Sequence, residues 1–336
     1  MKIYKMIFFY SMIMGTMITI SSYSWMAMWM GLEINLLSII PLFSNTKNMM
    51  SSESSMKYFI TQAMASLILL MAVIMLLISE EFINPLMNFY FSMMMNSALM
   101  TKLGAAPFHF WFPEIIEGLT WSNSLILLTW QKIAPMMLIM NMNINTPFLI
   151  TIIMFSLVIS SINGFNQISL RKILAFSSIN HIAWMLSTML MSFSSWTTYF
   201  LIYSMLNINI TTIFNMTNSF YLNQINNIMN KSKLFKFTLM TNFLSLGGLP
   251  PFIGFLPKWI IINWMTHNNM MLITATMIIT TLIMLFIYIR MMMSSMIINT
   301  TEPKNIQIKF NNKILITINT ITITSLILST YIMNLM

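Results

Sequence analysis

Five ionisable side chains stand inside long apolar runs of this sequence, at Glu33, Lys102, Lys132, His181 and Lys258. Inserting a lysine at the centre of a bilayer costs about 2.5–3.5 kcal/mol of free energy on insertion scales. We therefore expect a lysine in that position to have a function. Burial in a medium of low dielectric favours the neutral form of a lysine, and a nearby glutamate opposes that effect. Groups that can each hold or release a proton at similar depth are what a proton relay requires. We therefore predict that these five residues pass protons.

Simpler structural roles compete with that interpretation. Glu33 and one of the lysines can form a structural ion pair, and His181 taken alone is typical of a hydrogen-bonded core histidine. An ion pair with a single glutamate leaves at least two of the three lysines unexplained. A proton relay is therefore favoured for the five residues together, while a structural ion pair remains an alternative for Glu33.

The composition indicates that these residues belong to a membrane protein. The chain has 336 residues, of which 57% are hydrophobic and 7% are charged, and its mean hydropathy is +0.78. No soluble domain of this length could bury so much apolar surface. Asp and Cys are absent from the sequence. Without cysteine, disulfides, iron–sulfur ligation and thiol chemistry are excluded for this chain.

We predict an all-α polytopic membrane protein, with about 11 transmembrane helices in a single membrane domain over residues 1–336. Lipid admits only helices or closed barrels, and the ten-residue alternation of a barrel is not seen. The basic, then apolar start also fits a cleaved signal peptide, but no soluble segment follows, so we interpret it as the first span. The predicted spans are 3–20, 24–43, 58–79, 90–112, 123–140, 148–164, 173–191, 196–217, 237–265, 270–291 and 314–333.

The placement of charge supports this count. If the spans alternate in direction, 13 of the 16 basic residues fall on the side of the N-terminus, and the opposite side receives only Glu80 and Glu81. The positive-inside rule then places the N-terminus inside and the C-terminus outside. The three remaining basic residues are the intramembrane lysines. The net charge of +9 is thus mostly a basic inner rim, and no nucleic-acid-binding pattern accompanies it.

Two spans, near 90–112 and 237–265, are predicted to be broken helices. LGAAPFHFWFP (103–113) and GGLPPFIGFLP (247–257) share glycine, proline, phenylalanine and a final proline at four of eleven aligned positions. Proline removes a backbone donor and interrupts a helix, and such breaks occur at membrane depth only inside protein or beside a wet cavity. In the predicted topology the two spans run in opposite directions, as in the inverted repeats of ion transporters.

Several blocks of sequence, in this order, resemble a known family. The blocks are WMGLEINLLSIIPL, KLGAAPFHFWFPEIIEGL, LTWQKIAPM, LRKILAFSSINHIAWM and LSLGGLPPFIGFLPKW. Over nearly its whole length the chain resembles the subunit 2 family of mitochondrial NADH–ubiquinone oxidoreductase, which are antiporter-like membrane subunits of respiratory complex I. Bacterial members have fourteen helices, and this chain lacks three at the N-terminus, as animal versions do.

The resemblance implies a role for each candidate residue. It implies that Glu33 pairs with Lys102 on the first broken helix, that Lys132 continues the hydrophilic axis, and that Lys258 is the terminal lysine on the second. It implies that His181 links the two halves. It also implies a multi-pass protein of the mitochondrial inner membrane, with its N-terminus in the matrix and its C-terminus in the intermembrane space. The implied partners are other membrane-arm subunits of complex I and phospholipids.

The implied mechanism is proton translocation without redox chemistry in this chain. No glycine-rich nucleotide turn follows a strand and no cysteine is present, so NADH, FMN, iron–sulfur clusters and ubiquinone are expected in partner subunits. We predict no metal site and no cofactor bound by this chain. Two alternatives remain: a stand-alone cation/proton antiporter of the same fold, and a structural spacer whose charges only hold helices together.

Overall fold

The structure is helical throughout its described part. The computed structural model describes residues 3–45, 48–81, 85–142, 145–229 and 233–297, together with short pieces at 316–317, 319–320 and 322–324. Within these ranges no β-strand occurs, and one isolated bridge joins Ser169 and Tyr221. Most of the eleventh predicted span, 314–333, lies outside the described residues.

The chain divides into two compact units, Met1–Phe155 and Ser156–Met336. The first contains α1 (Ile3–Ser21), α2 (Trp25–Phe43), α3 (Met49–Glu81), α4 (Pro85–Leu103), α5 (Trp111–Gly118), α6 (Trp121–Leu128), α7 (Trp130–Asn141) and the start of α8 (Thr146–Phe165). The second contains the end of α8, then α9 (Leu170–Met189), α10 (Phe193–Thr217), α11 (Leu222–Met229), α12 (Lys233–Gly247), α13 (Phe255–His267) and α14 (Met271–Ile297). Each unit holds one of the two predicted broken helices, and the single membrane domain stays a prediction.

Five of the described helices are long and apolar enough to cross a membrane. They are α1, α2, α3 over Met49–Ile78, α8, and α14 over Met271–Met293. Helices α9 and α10 are continuous but more polar, and three further predicted spans are interrupted. An all-helical, membrane-type chain is therefore confirmed, whereas the count of eleven is not decided by these helices.

Both predicted breaks are present, with boundaries that differ from the prediction. The span predicted at 90–112 consists of α4, a turn, and α5, which ends at Gly118. The span predicted at 237–265 consists of α12, a turn, and α13. The two turns begin with the same backbone conformation, because Gly104 and Gly248 have φ angles of 76° and 79°. Only glycine adopts this left-handed conformation without steric cost, so the aligned glycines explain why both helices end there.

A third break was not predicted. The span at 123–140 divides into α6 and α7 at Thr129, whose φ and ψ angles are −116° and −70°. Pro135 in α7 has no N–H to offer the carbonyl of Gln131, which weakens the helix at this point. The hydroxyl of Thr129 also donates to the carbonyl of Leu125 at 2.8 Å, a bond that bends helices. Lys132 lies in the first turn after this break.

Helix α9 is the buried helix of the second unit. Its residues from Ile173 to Met189 are all buried, and it packs against α10, α13 and α14. A helix that is covered all round belongs to an interior rather than to a surface. The polar residues of its middle, including His181, therefore have to find partners on the neighbouring helices.

Candidate proton-transfer sites

Glu33 and Lys102 lie in the first unit. Glu33 is in α2 and Lys102 is in the last turn of α4, just before the first break. The side chain of Lys102 is buried, and Oε1 of Glu33 is buried with no hydrogen-bond partner among the described residues. The carboxylate of Glu33 attracts the ammonium of Lys102 through space, yet the two form no direct salt bridge in the described part of the chain. Both groups are thus left with hydrogen-bonding capacity for water.

A polar cavity of about 20 Å³ opens beside Lys102. The hydroxyl of Tyr58 donates to Oε1 of Gln131 at 3.2 Å, and the amide of Gln131 donates to Oδ1 of Asn35 at 3.1 Å. Gln62 also lines this cavity, and its buried amide nitrogen has no partner among the residues described. A polar space of this size holds a water molecule. Such a water would satisfy Gln62 and give Lys102 a partner for proton exchange.

Lys132 is the most deeply buried of the three lysines, with 1% of its surface exposed. Its ammonium lies over the ring of Phe112 in α5, 5.9 Å from the ring centroid, an arrangement that stabilises a cation. The preceding residue, Gln131, lines the cavity of Lys102. Helix α7 therefore brings Lys132 to the first broken helix, and Glu33, Lys102 and Lys132 share one unit.

Lys258 lies just after the second break, in the first turn of α13. Its ammonium donates to the carbonyl oxygens of Leu246 at 3.1 Å and Gly247 at 3.0 Å, and it lies 5.8 Å from the ring centroid of Trp184. The last carbonyls of a helix have no partner within the helix and carry partial negative charge. Lys258 therefore satisfies the end of α12, which explains how a buried lysine is tolerated there.

The lysines of the two breaks do not occupy equivalent positions. Lys102 precedes its left-handed glycine, whereas Lys258 follows Gly248 by ten residues. The residue ten positions after Gly104 is Glu114, which is exposed and forms an ion pair with Lys57 at 3.1 Å. In the first break the indole of Trp111 donates to the carbonyl of Thr101 at 3.0 Å. The two breaks thus begin with the same glycine conformation, but an uncharged indole caps one helix end and an ammonium group caps the other.

His181 is buried in α9, and one of its partners is a tyrosine. Its Nδ1 lies 2.9 Å from the hydroxyl of Tyr199 in α10, and the ring of Tyr203 lies 5.0 Å from the imidazole. A cavity of about 10 Å³, close to the smallest that admits one water, adjoins this group. It is also lined by Ser245, Gly254 and Pro257. His181 therefore lies next to the second break, in the unit that contains Lys258.

The sequence interpretation missed the uncharged members of these clusters. Asn35, Gln62 and Gln131 interrupt apolar runs, so the cost of burying an unpaired amide was a usable signal for them. Tyr199 carried no such signal, because a tyrosine within an apolar run is common in any core. No group of three or more metal-ligating side chains occurs in the described ranges.

Replacing Trp111 by phenylalanine tests the cap of the first break. The change keeps the aromatic ring but removes the donor to Thr101, and we expect a loss of about 1 kcal/mol in stability. Trp196 is a matched control, since its indole nitrogen is buried without a partner in the described part of the chain. Thermal unfolding of the assembled complex should show a lower midpoint for Trp111→Phe than for Trp196→Phe. Equal midpoints would contradict the capping role.

Comparison with known proteins decides the family. The NADH:quinone oxidoreductase/Mrp antiporter transmembrane family matches residues 22–284. The NADH-ubiquinone oxidoreductase chain 2 of Anopheles gambiae is 48% identical over 93% of this chain and 92% of its own length. That of Aedes aegypti is 48% identical over 98% of both chains. The chain belongs to the NADH-ubiquinone oxidoreductase chain 2 family. The predicted resemblance is thereby confirmed.

The fold of this chain 2 family member is shared with larger membrane complexes. A chain of respiratory complex I from Thermus thermophilus superposes with a TM-score of 0.86 at 18% identity, covering 97% of this chain and 78% of that one. A chain of the Mrp complex from a Dietzia species superposes with a TM-score of 0.76 at 14% identity, covering 88% and 60%. At these identities the likeness concerns the fold. With the five apolar helices, it makes this chain 2 protein a multi-pass membrane protein.

Proposed function

We propose that this chain, a proton-translocating membrane subunit of respiratory complex I, relays protons along Glu33, Lys102, Lys132, His181 and Lys258. The observation that supports this most is the burial of three lysines, each beside an interrupted helix, of which Lys102 and Lys258 form no direct salt bridge within the described residues. A structural role would pair each charge with an opposite one. A polar cavity adjoins Lys102 instead, and carbonyl groups and an aromatic ring adjoin Lys258.

The proposed setting is the mitochondrial inner membrane. The chain would cross it eleven times, with its N-terminus in the matrix and its C-terminus in the intermembrane space. The two broken helices would run in opposite directions, as in inverted repeats. Other membrane-arm subunits and phospholipids would cover the apolar outer faces of helices such as α1 and α14.

The proposed chemistry is proton movement alone. Electrons would pass from NADH to ubiquinone through FMN and iron–sulfur clusters in partner subunits, and this chain would bind none of these cofactors. A change of charge at one end of the relay would alter the proton affinity of the next group, so that a signal from the electron-transfer arm propagates through the chain.

Replacing Lys102 by methionine tests this proposal. Methionine fills a similar volume without a charge, so we expect assembly and NADH oxidation to persist while fewer protons are moved per NADH. Glu33→Gln should also lower the number of protons moved per NADH, because it removes the attraction that Glu33 exerts on Lys102. The measurement is proton uptake into sealed vesicles that contain the assembled complex. An unchanged ratio in both variants, at full assembly, would contradict the relay.

The similarity to the Mrp complex favours one second candidate, a cation/proton antiporter that acts alone. Purified chain in vesicles would then exchange sodium for protons when a pH gradient is applied. The relay proposal predicts no exchange by the isolated chain. A pure spacer is distinguished by the Lys102→Met experiment, since a spacer variant that assembles would couple normally.

A further inference from the structure

Tyr199 and His181 form a hydrogen bond in the interior of the second unit. Both side chains are buried, with 2% of Tyr199 and 7% of His181 exposed, so water does not replace their mutual hydrogen bond freely. The hydroxyl oxygen and Nδ1 are 2.9 Å apart, the distance of a well-formed hydrogen bond. The adjoining cavity of about 10 Å³ has no more than the space for a single water.

A hydroxyl group is a partner that suits both protonation states of an imidazole. When Nδ1 is unprotonated, the O–H of Tyr199 donates to it; when Nδ1 carries a proton, the N–H donates to the same oxygen. In the tautomer that carries its hydrogen on Nδ1, a relayed proton enters and leaves at Nε2, and the bond to the hydroxyl oxygen is unchanged. A carboxylate in this position would favour the charged state alone, and a second N–H donor would favour the neutral state alone.

We propose that Tyr199 is a positioning residue for proton transfer through His181. Its hydroxyl holds the imidazole in one orientation and stays bonded to Nδ1 whether or not that nitrogen is protonated. His181 can then gain and release a proton in a buried site without losing its bond to Tyr199 and without turning its ring. This inference rests on the proposed function, because it assigns a partner to one member of the relay.

The test compares two conservative variants in the assembled complex. Tyr199→Phe removes the hydroxyl from Nδ1 and keeps the ring. Tyr288→Phe is the matched control, since Tyr288 is equally buried and lies in α14, which also packs against α9. We expect Tyr199→Phe to lower the protons moved per NADH oxidised as far as His181→Leu does, with electron transfer per assembled complex retained. Tyr288→Phe should keep the ratio of the unmodified chain.

A double variant that combines Tyr199→Phe with His181→Leu tests whether Tyr199 acts through His181 or independently of it. If Tyr199 acts through His181, then Tyr199→Phe produces no further fall once His181→Leu is present. A further fall of the same size would overturn the inference. A normal ratio in Tyr199→Phe, together with a lowered one in His181→Leu, would overturn it and leave the relay intact. A normal ratio in His181→Leu would instead remove His181 from the proposed function.

A role in assembly alone has its own signature. Loss of the assembled complex in Tyr199→Phe, with Tyr288→Phe assembling normally, would make the hydroxyl a structural group and would overturn the inference. A density map of the unmodified complex gives an answer that needs no variant. The inference requires the hydroxyl within hydrogen-bond distance of the imidazole there, and a separation of the two groups would contradict it.

Discussion

Replacing Lys132 by methionine should nearly abolish proton movement through this subunit while leaving the complex assembled. Lys132 is 1% exposed and lies on α7, between the break at Thr129 and the proline at position 135. Positioned acid–base groups accelerate proton transfer by about 10²–10⁴-fold, so we expect removal of one to slow the relay by a comparable factor. The measurement is the number of protons moved per NADH oxidised by the assembled complex.

The same variant should fold well, for a physical reason. A buried charge exchanged for an apolar side chain of similar volume is often neutral or stabilising, and the ring of Phe112 packs against a thioether as readily as against an ammonium group. Lys57→Met is the matched control. It makes the same chemical change at an exposed lysine that pairs with Glu53 and Glu114, and it should leave the proton ratio unchanged. Equal ratios in the two variants would show that Lys132 has no part in the relay.

Gly254→Ala should cause the largest loss of stability at the second break. A Cβ at this position would overlap the carbonyl oxygen of Ser245, so the turn would have to move away from α12. Overpacking of a tight interior costs about 1–3 kcal/mol, and we expect the upper end because the obstructing atom belongs to the backbone and cannot rotate away. The thermal midpoint of the assembled complex should fall, and its yield should fall with it.

Gly164→Ala provides the matched control for this change. Added at Gly164, a Cβ would make ordinary contacts of 3.4 Å with Ile287 and Phe176. In a helix, an alanine that fits should stabilise by about 0.4–1 kcal/mol, because it reduces the freedom of the unfolded chain. The two alanines are therefore expected to have opposite signs. A neutral Gly254→Ala variant would mean that α12 and the turn are less tightly packed than this structure has them.

The two helix breaks at Gly104 and Gly248 could be predicted from the sequence. Their shared spacing from Pro107 and Pro251 predicted two matching breaks, and the two φ angles of 76° and 79° confirm that match. Local rules suffice here, since glycine and proline act on the backbone whatever surrounds them. The break at Thr129 was not predicted, because many membrane helices tolerate a single proline without being interrupted.

Side-chain partners could not be predicted in the same way. Glu33 and Lys102 are 69 positions apart in sequence, and whether they touch or act through space depends on how α2 and α4 pack. The capping of α12 by Lys258 depends on a side chain that turns back across the break. The contact of Tyr199 with His181 depends on the facing surfaces of α9 and α10. Periodicity and composition do not specify such pairings.

The most direct test of the relay is a density map of the assembled membrane complex that resolves ordered water. We expect water in the cavity that Lys102, Gln62 and Gln131 line, and we expect Lys102, Lys132 and Lys258 to face the protein interior, each in contact with water or a polar group. A dry cavity, a lysine that points to lipid, or a lysine in a closed one-to-one ion pair would contradict it. The lysines would then be structural, and the subunit would be a spacer.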